Sequence, residues 1–160
     1  MIIYLLRHGD AVDAARFEDN DRPLSDFGRR QASAVGTYLA GLQSGIQQIY
    51  CSPLLRARQT GEAVRQELGQ VPIQTTELLL SSGDPGEIVR ELQKNPPRSV
   101  LLVGHEPHLS RTISLLLWGD IRSRVEMKKS SLACVSTPDP LEEGRGVLQW
   151  LVSSDQTLKA

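Results

Sequence analysis

The pattern that most constrains this chain is a threefold alternation. Short apolar runs at residues 2–6, 46–51 and 99–103, rich in leucine or β-branched residues, end at polar residues and give way to helical periodicity. Strands that recur after intervening helices pair in parallel, so the pattern predicts an α/β fold around a mostly parallel sheet. Two later runs, at 131–137 and 147–152, flank a Pro- and Gly-rich turn and predict an antiparallel edge.

Between the runs, local signals place the helices. Ser25 is suited to cap a helix over 25–42, in which Ala32, Val35, Leu39 and Leu42 follow a 3.6-residue spacing. Ser52-Pro53 predicts a second helix start, with serine as cap and proline at the first helical position, running to about Leu68-Gly69. Asp84 followed three residues later by Glu87 predicts a third, ending before Pro96-Pro97, and Glu106-Pro107 opens a fourth that ends near Trp118-Gly119. Trp118, Val125 and Met127 suit either a core or a partner, and residues 153–160 are expected to fray.

Length and charge exclude several classes. With 160 residues and no repeat or linker, the chain is expected to form one domain over 1–160. A net charge of -1 offers no excess of Lys and Arg for non-specific nucleic-acid binding. Cys51 and Cys134 lie far apart and outside any CxxC pattern, which fits a reducing cytoplasm rather than a disulfide framework. The apolar start lacks a basic lead and is cut off by Arg7-His8, so neither a signal peptide nor a membrane span is expected.

The chemistry concentrates at strand ends. Leu6-Arg7-His8-Gly9-Asp10 terminates the first run with a guanidinium suited to phosphate oxygens, an imidazole that is nucleophilic near neutral pH, and a glycine that permits close backbone approach. Cys51-Ser52-Pro53 leads into Arg56, a cation in the first helical turn that opposes the helix dipole unless an anion is near. Arg58 lies roughly 200° around the helix from Arg56, so only one of them should face a pocket. Gly104-His105-Glu106-Pro107-His108 ends the third run. Taken singly, each segment has a structural reading as a surface arginine or a satisfied histidine; parallel strands would bring all three ends to one edge, where ligands of α/β sheets bind.

In this combination the chain resembles the histidine phosphatase superfamily, which includes the cofactor-dependent phosphoglycerate mutases. The likeness rests on Arg7-His8-Gly9, Pro23-Leu24-Ser25 with Gly28 and Gln31-Ala32, Ser52-Pro53 with Arg56-Ala57 and Thr60, and Gly104-His105. The opening Arg7-His8-Gly9-Asp10, the stretch Arg22-Pro23-Leu24-Ser25 and the stretch Gly104-His105-Glu106-Pro107 are similar to the SixA-type subgroup. The resemblance implies a three-layer α/β/α sandwich and a covalent phosphohistidine on His8. It further implies a phosphate pocket of Arg7, Arg56 and His105 with Arg22 as an extra contact, and neither cofactor nor metal.

Within that reading the substrate turns on the leaving group. Phosphoglycerate mutases carry a glutamate acid between the second arginine and second histidine; the acidic candidates in this chain are Glu77 and Asp84, and Asp84 already has an explanation as a helix cap. Imidazole leaves more readily than an alkoxide, so the lack of a compelling acid favours a phosphohistidine-bearing protein, such as a histidine-phosphotransfer domain, as partner. The alternatives are a phosphatase of small phosphate esters, a non-catalytic phosphate-binding module, and a metal site of His8, Asp10, His105 and His108, the last opposed by the charges of Arg7 and Arg56.

Overall fold

A computed structural model describes residues 1–122 and 125–159. Its strands are β1 (Ile2–Arg7), β2 (Gln48–Cys51), β3 (Ile73–Thr75), β4 (Ser99–Gly104), β5 (Leu132–Ser136) and β6 (Val147–Val152), joined in one sheet of order β3-β2-β4-β1-β5-β6. The first four run parallel, whereas β5 pairs antiparallel with β1 and β6 antiparallel with β5. The mostly parallel sheet with an antiparallel edge is thus borne out.

Helices α1 (Asp26–Gly41), α2 (Leu55–Leu68), α3 (Pro85–Lys94), α4 (His108–Trp118) and α5 (Ser154–Thr157) complete the chain order. Alternation along the strands assigns the two faces. Ile3, Leu5, Val100 and Leu102 pack with Ile88, Val89 and Leu92 of α3 and Leu109, Ile113 and Leu116 of α4. Tyr4, Leu6, Leu101 and Val103 pack on the other face with Val35 and Leu39 of α1 and Ala57 and Val64 of α2. A sheet buried on both faces is what an apolar run without polar alternation requires. Truncation of a fully buried leucine such as Leu5, opposite Leu102 in the ladder, costs about 2–5 kcal/mol.

Four local expectations change. Helix α2 starts at Leu55 rather than Ser52, because the Ser52 hydroxyl is held 2.7 Å from His105 Nε2 and Leu54 remains extended. Helix α4 starts at His108, with Glu106 outside it; the Glu106 carboxylate accepts from the Ser110 N–H at 3.1 Å and so satisfies one of the helix's free donors. Residues 153–159 do not fray. The Gln156 side chain accepts from the Ser153 N–H at 2.8 Å, Gln31 of α1 donates to Ser154 at 3.1 Å, and Thr157 is buried; Ala160 lies outside the described residues. Strand β3 is an addition that no periodicity announced. Met127 belongs to the core and Val125 packs against it, while Trp118 is exposed.

The register places the carboxyl ends of the central strands together. Arg7 of β1 stands opposite Gly104 of β4, and Cys51 of β2 opposite Val103. Whatever follows those residues shares one edge of the sheet.

Candidate active site

His8 follows β1 directly and is 95% buried, with only 5% of its surface exposed. Its Nδ1–H donates to the Gly9 carbonyl at 2.7 Å, which fixes the tautomer and leaves the lone pair on Nε2. Burial first, then the charges of Arg56, Arg7 and Lys129, push its pKa down to about 4 against the pull of the Gly9 bond. At neutral pH the ring is an uncharged base.

The turn that carries His8 is clamped from two sides. Gly9 donates to Thr60 Oγ1 at 3.1 Å, and Thr60 in turn donates to the Arg56 carbonyl at 2.7 Å, so α2 holds the turn. From the other side the N-terminus of α1 presses on it. A Cβ at Gly28 would lie 1.9 Å from the Asp10 carbonyl oxygen, and one at Gly9 would lie 2.7 Å from the Gly28 oxygen, so both positions require glycine for close approach. Ser25 caps α1 by accepting from the Gly28 N–H at 3.0 Å and donates to Asp10 Oδ2 at 2.7 Å. Lys129 Nζ donates to Asp10 Oδ1 at 2.7 Å, which holds that carboxyl below its ordinary range.

Arg56 and Arg58 separate as the helix geometry predicts: Arg56 is buried and Arg58 exposed. The anion that offsets Arg56 in the first turn is Asp19. Arg56 Nη1 donates to the Asp19 carbonyl at 2.6 Å and Nη2 to its carboxylate at 3.2 Å, while Arg22 Nε lies 3.5 Å from the other carboxylate oxygen. Arg7 is anchored by donation from Nη1 to the Met127 carbonyl at 2.8 Å. Beyond these anchors, the Nε atoms of Arg7, Arg22 and Arg56 are buried without a hydrogen-bond acceptor among the described residues.

His105 stacks obliquely near His8, ring centroids 5.0 Å apart at 54°. Burial, reinforced by His8, Arg56 and Arg7, lowers its pKa to about 3, so it too is neutral. Its Nε2 meets the Ser52 hydroxyl at 2.7 Å, and its Nδ1 is a further buried nitrogen without a partner among the described residues. With the hydroxyl donating to Nε2, the ring proton sits on Nδ1 as a donor. The edge therefore combines a neutral imidazole with a free lone pair, guanidinium cations and a neutral donor ring, a set complementary to a tetrahedral oxyanion.

Neither acidic candidate is hydrogen-bonded to His8, His105 or the pocket arginines, although Glu77 follows β3 on the same edge of the sheet. Asp84 caps α3, accepting from the Gly86 N–H at 2.9 Å, and pairs with Arg90 at 3.2 Å; those bonds hold its carboxyl below the ordinary range. Glu77 is exposed at the start of a single 3-10 turn after β3. His108 is wholly buried, its Nδ1 3.4 Å from Thr112 Oγ1. Among the described residues no three His, Cys, Asp or Glu side chains converge as a metal site, so the grouping of His8, Asp10, His105 and His108 does not assemble. No helix among them is long and apolar enough to cross a membrane. Asp19, Ser52 as a partner of His105, and Lys129 were not singled out by sequence reasoning; only Ser52 carried a signal, as part of the Ser52-Pro53 pair.

Comparisons with known proteins bear on this edge. The family model of the histidine phosphatase superfamily (branch 1) matches residues 3–80. The phosphohistidine phosphatase SixA of Escherichia coli strain K12 is 31% identical over 159 residues, covering 96% of this chain and 94% of that protein. Among solved structures, the protein histidine phosphatase SixA in complex with tungstate superposes with a TM-score of 0.85 at 29% identity, covering 98% of this chain and 99% of that one. A mycobacterial glucosyl-3-phosphoglycerate phosphatase shares the fold, at a TM-score of 0.73 and 20% identity over 93% of this chain and 97% of its own.

Proposed function

Since the chain belongs to the histidine phosphatase superfamily, in its SixA-type subgroup, we propose that it is a metal-independent phosphohistidine protein phosphatase with His8 as nucleophile. The observation that carries this reading is the state of His8: a neutral ring whose Nδ1–H is committed to Gly9, so that Nε2 presents its lone pair beside buried guanidinium nitrogens.

In the first step Nε2 of His8 attacks phosphorus, the N–P bond forms, and the bond from phosphorus to the substrate imidazole breaks. The imidazole departs with its electron pair and takes a proton from solvent. Charge spread over the equatorial oxygens is met by Arg7, Arg56 and His105 Nδ1–H, with Arg22 as a further donor. In the second step water attacks phosphorus, the N–P bond to His8 breaks, and inorganic phosphate leaves with His8 neutral again. The guanidinium groups do the charge neutralisation that a metal would otherwise provide.

The substrate class follows from the leaving group. Asp84 is occupied by its cap and by Arg90, and Glu77 is solvated on a 3-10 turn, so neither is placed as a strong proton donor. A phosphohistidine-bearing protein, such as a histidine-phosphotransfer domain, fits this site better than an alkyl phosphate ester. The test is a comparison of kcat/KM at matched pH, with chelator present. A phosphohistidine protein should be the preferred substrate, aryl phosphates intermediate and alkyl phosphates poorest. Preference for an alkyl ester would assign the site to small phosphate esters, and loss of activity restored by metal would overturn metal independence.

A further inference from the structure

The segment between β1 and α1 places a carboxylate on the arginines of the pocket. Asp19 Oδ2 accepts from Arg56 Nη2 at 3.2 Å and Oδ1 faces Arg22 Nε at 3.5 Å, so two oxygens of one anion bridge two guanidiniums. Its charge is also felt at the ring of His105, whose pKa it raises against the stronger downward effects. That is how two oxygens of a phosphoryl group would be held. We propose that the Asp19 carboxylate is a tethered competitor for oxyanions, which must leave Arg56 and Arg22 before a phosphoryl group can be bound. The inference rests on the phosphate-pocket reading above.

Two features make the exchange feasible. The Asp19 side chain is 64% exposed although Arg56 is only 8% so, and it sits on a single 3-10 turn, Asp19–Asp21, none of whose residues is buried. It can swing into water without opening a cavity. Arg56 does not lose its position when this happens, because its Nη1 is held independently by the Asp19 backbone carbonyl at 2.6 Å. The carboxylate therefore contributes repulsion and competition, not anchoring.

The consequence is selectivity against small anions. A free oxyanion must displace Asp19 using its own charge alone, whereas a protein-borne phosphoryl group has further contacts to offset the displacement. Product phosphate is accordingly held weakly and released.

The test measures inhibition constants of tungstate and inorganic phosphate for the wild type, Asp19→Asn, Asp19→Ala, Asp19→Glu and Arg56→Ala. Both constants should fall on the order of fivefold in Asp19→Asn and Asp19→Ala, the scale of a partly exposed charge pair, and stay near wild type in Asp19→Glu. Constants that are unchanged or that rise in Asp19→Asn would overturn the proposal, a rise meaning that the carboxylate positions Arg56 rather than competing for it. Arg56→Ala should raise both constants strongly. If it leaves them unchanged, the phosphate pocket itself is misassigned and this inference falls with it; a rise in Arg56→Ala without tightening in Asp19→Asn rejects the competitor alone.

Discussion

Two parts of the molecule hold the same residue types and differ in what their polar atoms have left to do. At the ends of β1 and β4, His8 and His105 lie among arginines, and the Nε atoms of Arg7 and Arg56 with His105 Nδ1 are buried without acceptors among the described residues, while Arg22 Nε has only the Asp19 carboxylate at 3.5 Å. At the junction of α3 and α4, His108, Asp84 and Arg90 form an equally polar group. There the Asp84 oxygens are spent on the α3 cap and on Arg90, and His108 leans on Thr112 through Nδ1, so that a single ring nitrogen, His108 Nε2, is left buried without a partner among the described residues. Burial depresses the pKa of all three histidines. A shifted pKa thus does not distinguish a site from a support; several uncommitted donors converging on one edge do.

The sharpest separation should come from parallel substitutions. His8→Ala should lower turnover by at least about 10⁴-fold while the chain stays folded, because it removes the proposed nucleophile and leaves the clamps on Gly9 and Thr60 in place. His108→Gln should behave oppositely, losing stability by about 1–3 kcal/mol at near-normal activity per folded molecule. Circular dichroism melts beside rate measurements distinguish the two, and a folded but inactive His108→Gln would erase the contrast. Arg56→Ala should cost about 10²- to 10³-fold in kcat/KM, whereas Arg58→Ala, on the exposed side of α2, should cost less than about twofold. A larger loss at Arg58 would break the account of which helix face serves the pocket.

Acid should test the burial of the histidines. His8 titrates at about 4 and His105 at about 3 in the folded chain, below the ordinary 6.5, so the unfolded chain binds more protons between those values. Stability is then fully present above pH 6.5 and is lost as pH falls toward 4, on the order of a few kcal/mol, a loss that denaturant titrations should find reduced in His8→Ala. A stability profile flat from pH 7 to 4.5 would mean that these rings are solvated. The smallest effect belongs to the junction: Asp84→Asn should change phosphohistidine hydrolysis by less than about twofold, since asparagine retains the cap. Loss of most activity in that variant, or in Glu77→Gln, would move a proton donor into the mechanism.

How much of this could be read in the sequence depended on how local the signal was. The sheet, its parallel core and the caps at Ser25 and Asp84 were legible because they rest on periodicity and on single-residue chemistry. The same holds for the burial of Arg56 against the exposure of Arg58. The misplaced starts of α2 and α4 have a shared cause: Ser52 and Glu106 look like helix beginnings locally, but distant partners or the following turn claim their side chains. Strand β3 is three residues long, too short for alternation to register. The Ser153-x-x-Gln156 spacing was a legible cap signal that the expectation of a frayed end passed over. Asp19 and Lys129 could not have been found, because what matters is the arginine or aspartate they meet across the fold.

The central claim is a covalent bond to one atom, and trapping that bond tests it most directly. The protein is mixed with a phosphohistidine-bearing protein, quenched in alkali within the first turnover and digested for mass spectrometry, which keeps the acid-labile N–P bond intact. Phosphate should appear on His8 and decay at rates compatible with turnover, and should be absent in His8→Ala. Phosphate on His105, His108 or a serine with His8 unmodified during active turnover would contradict it.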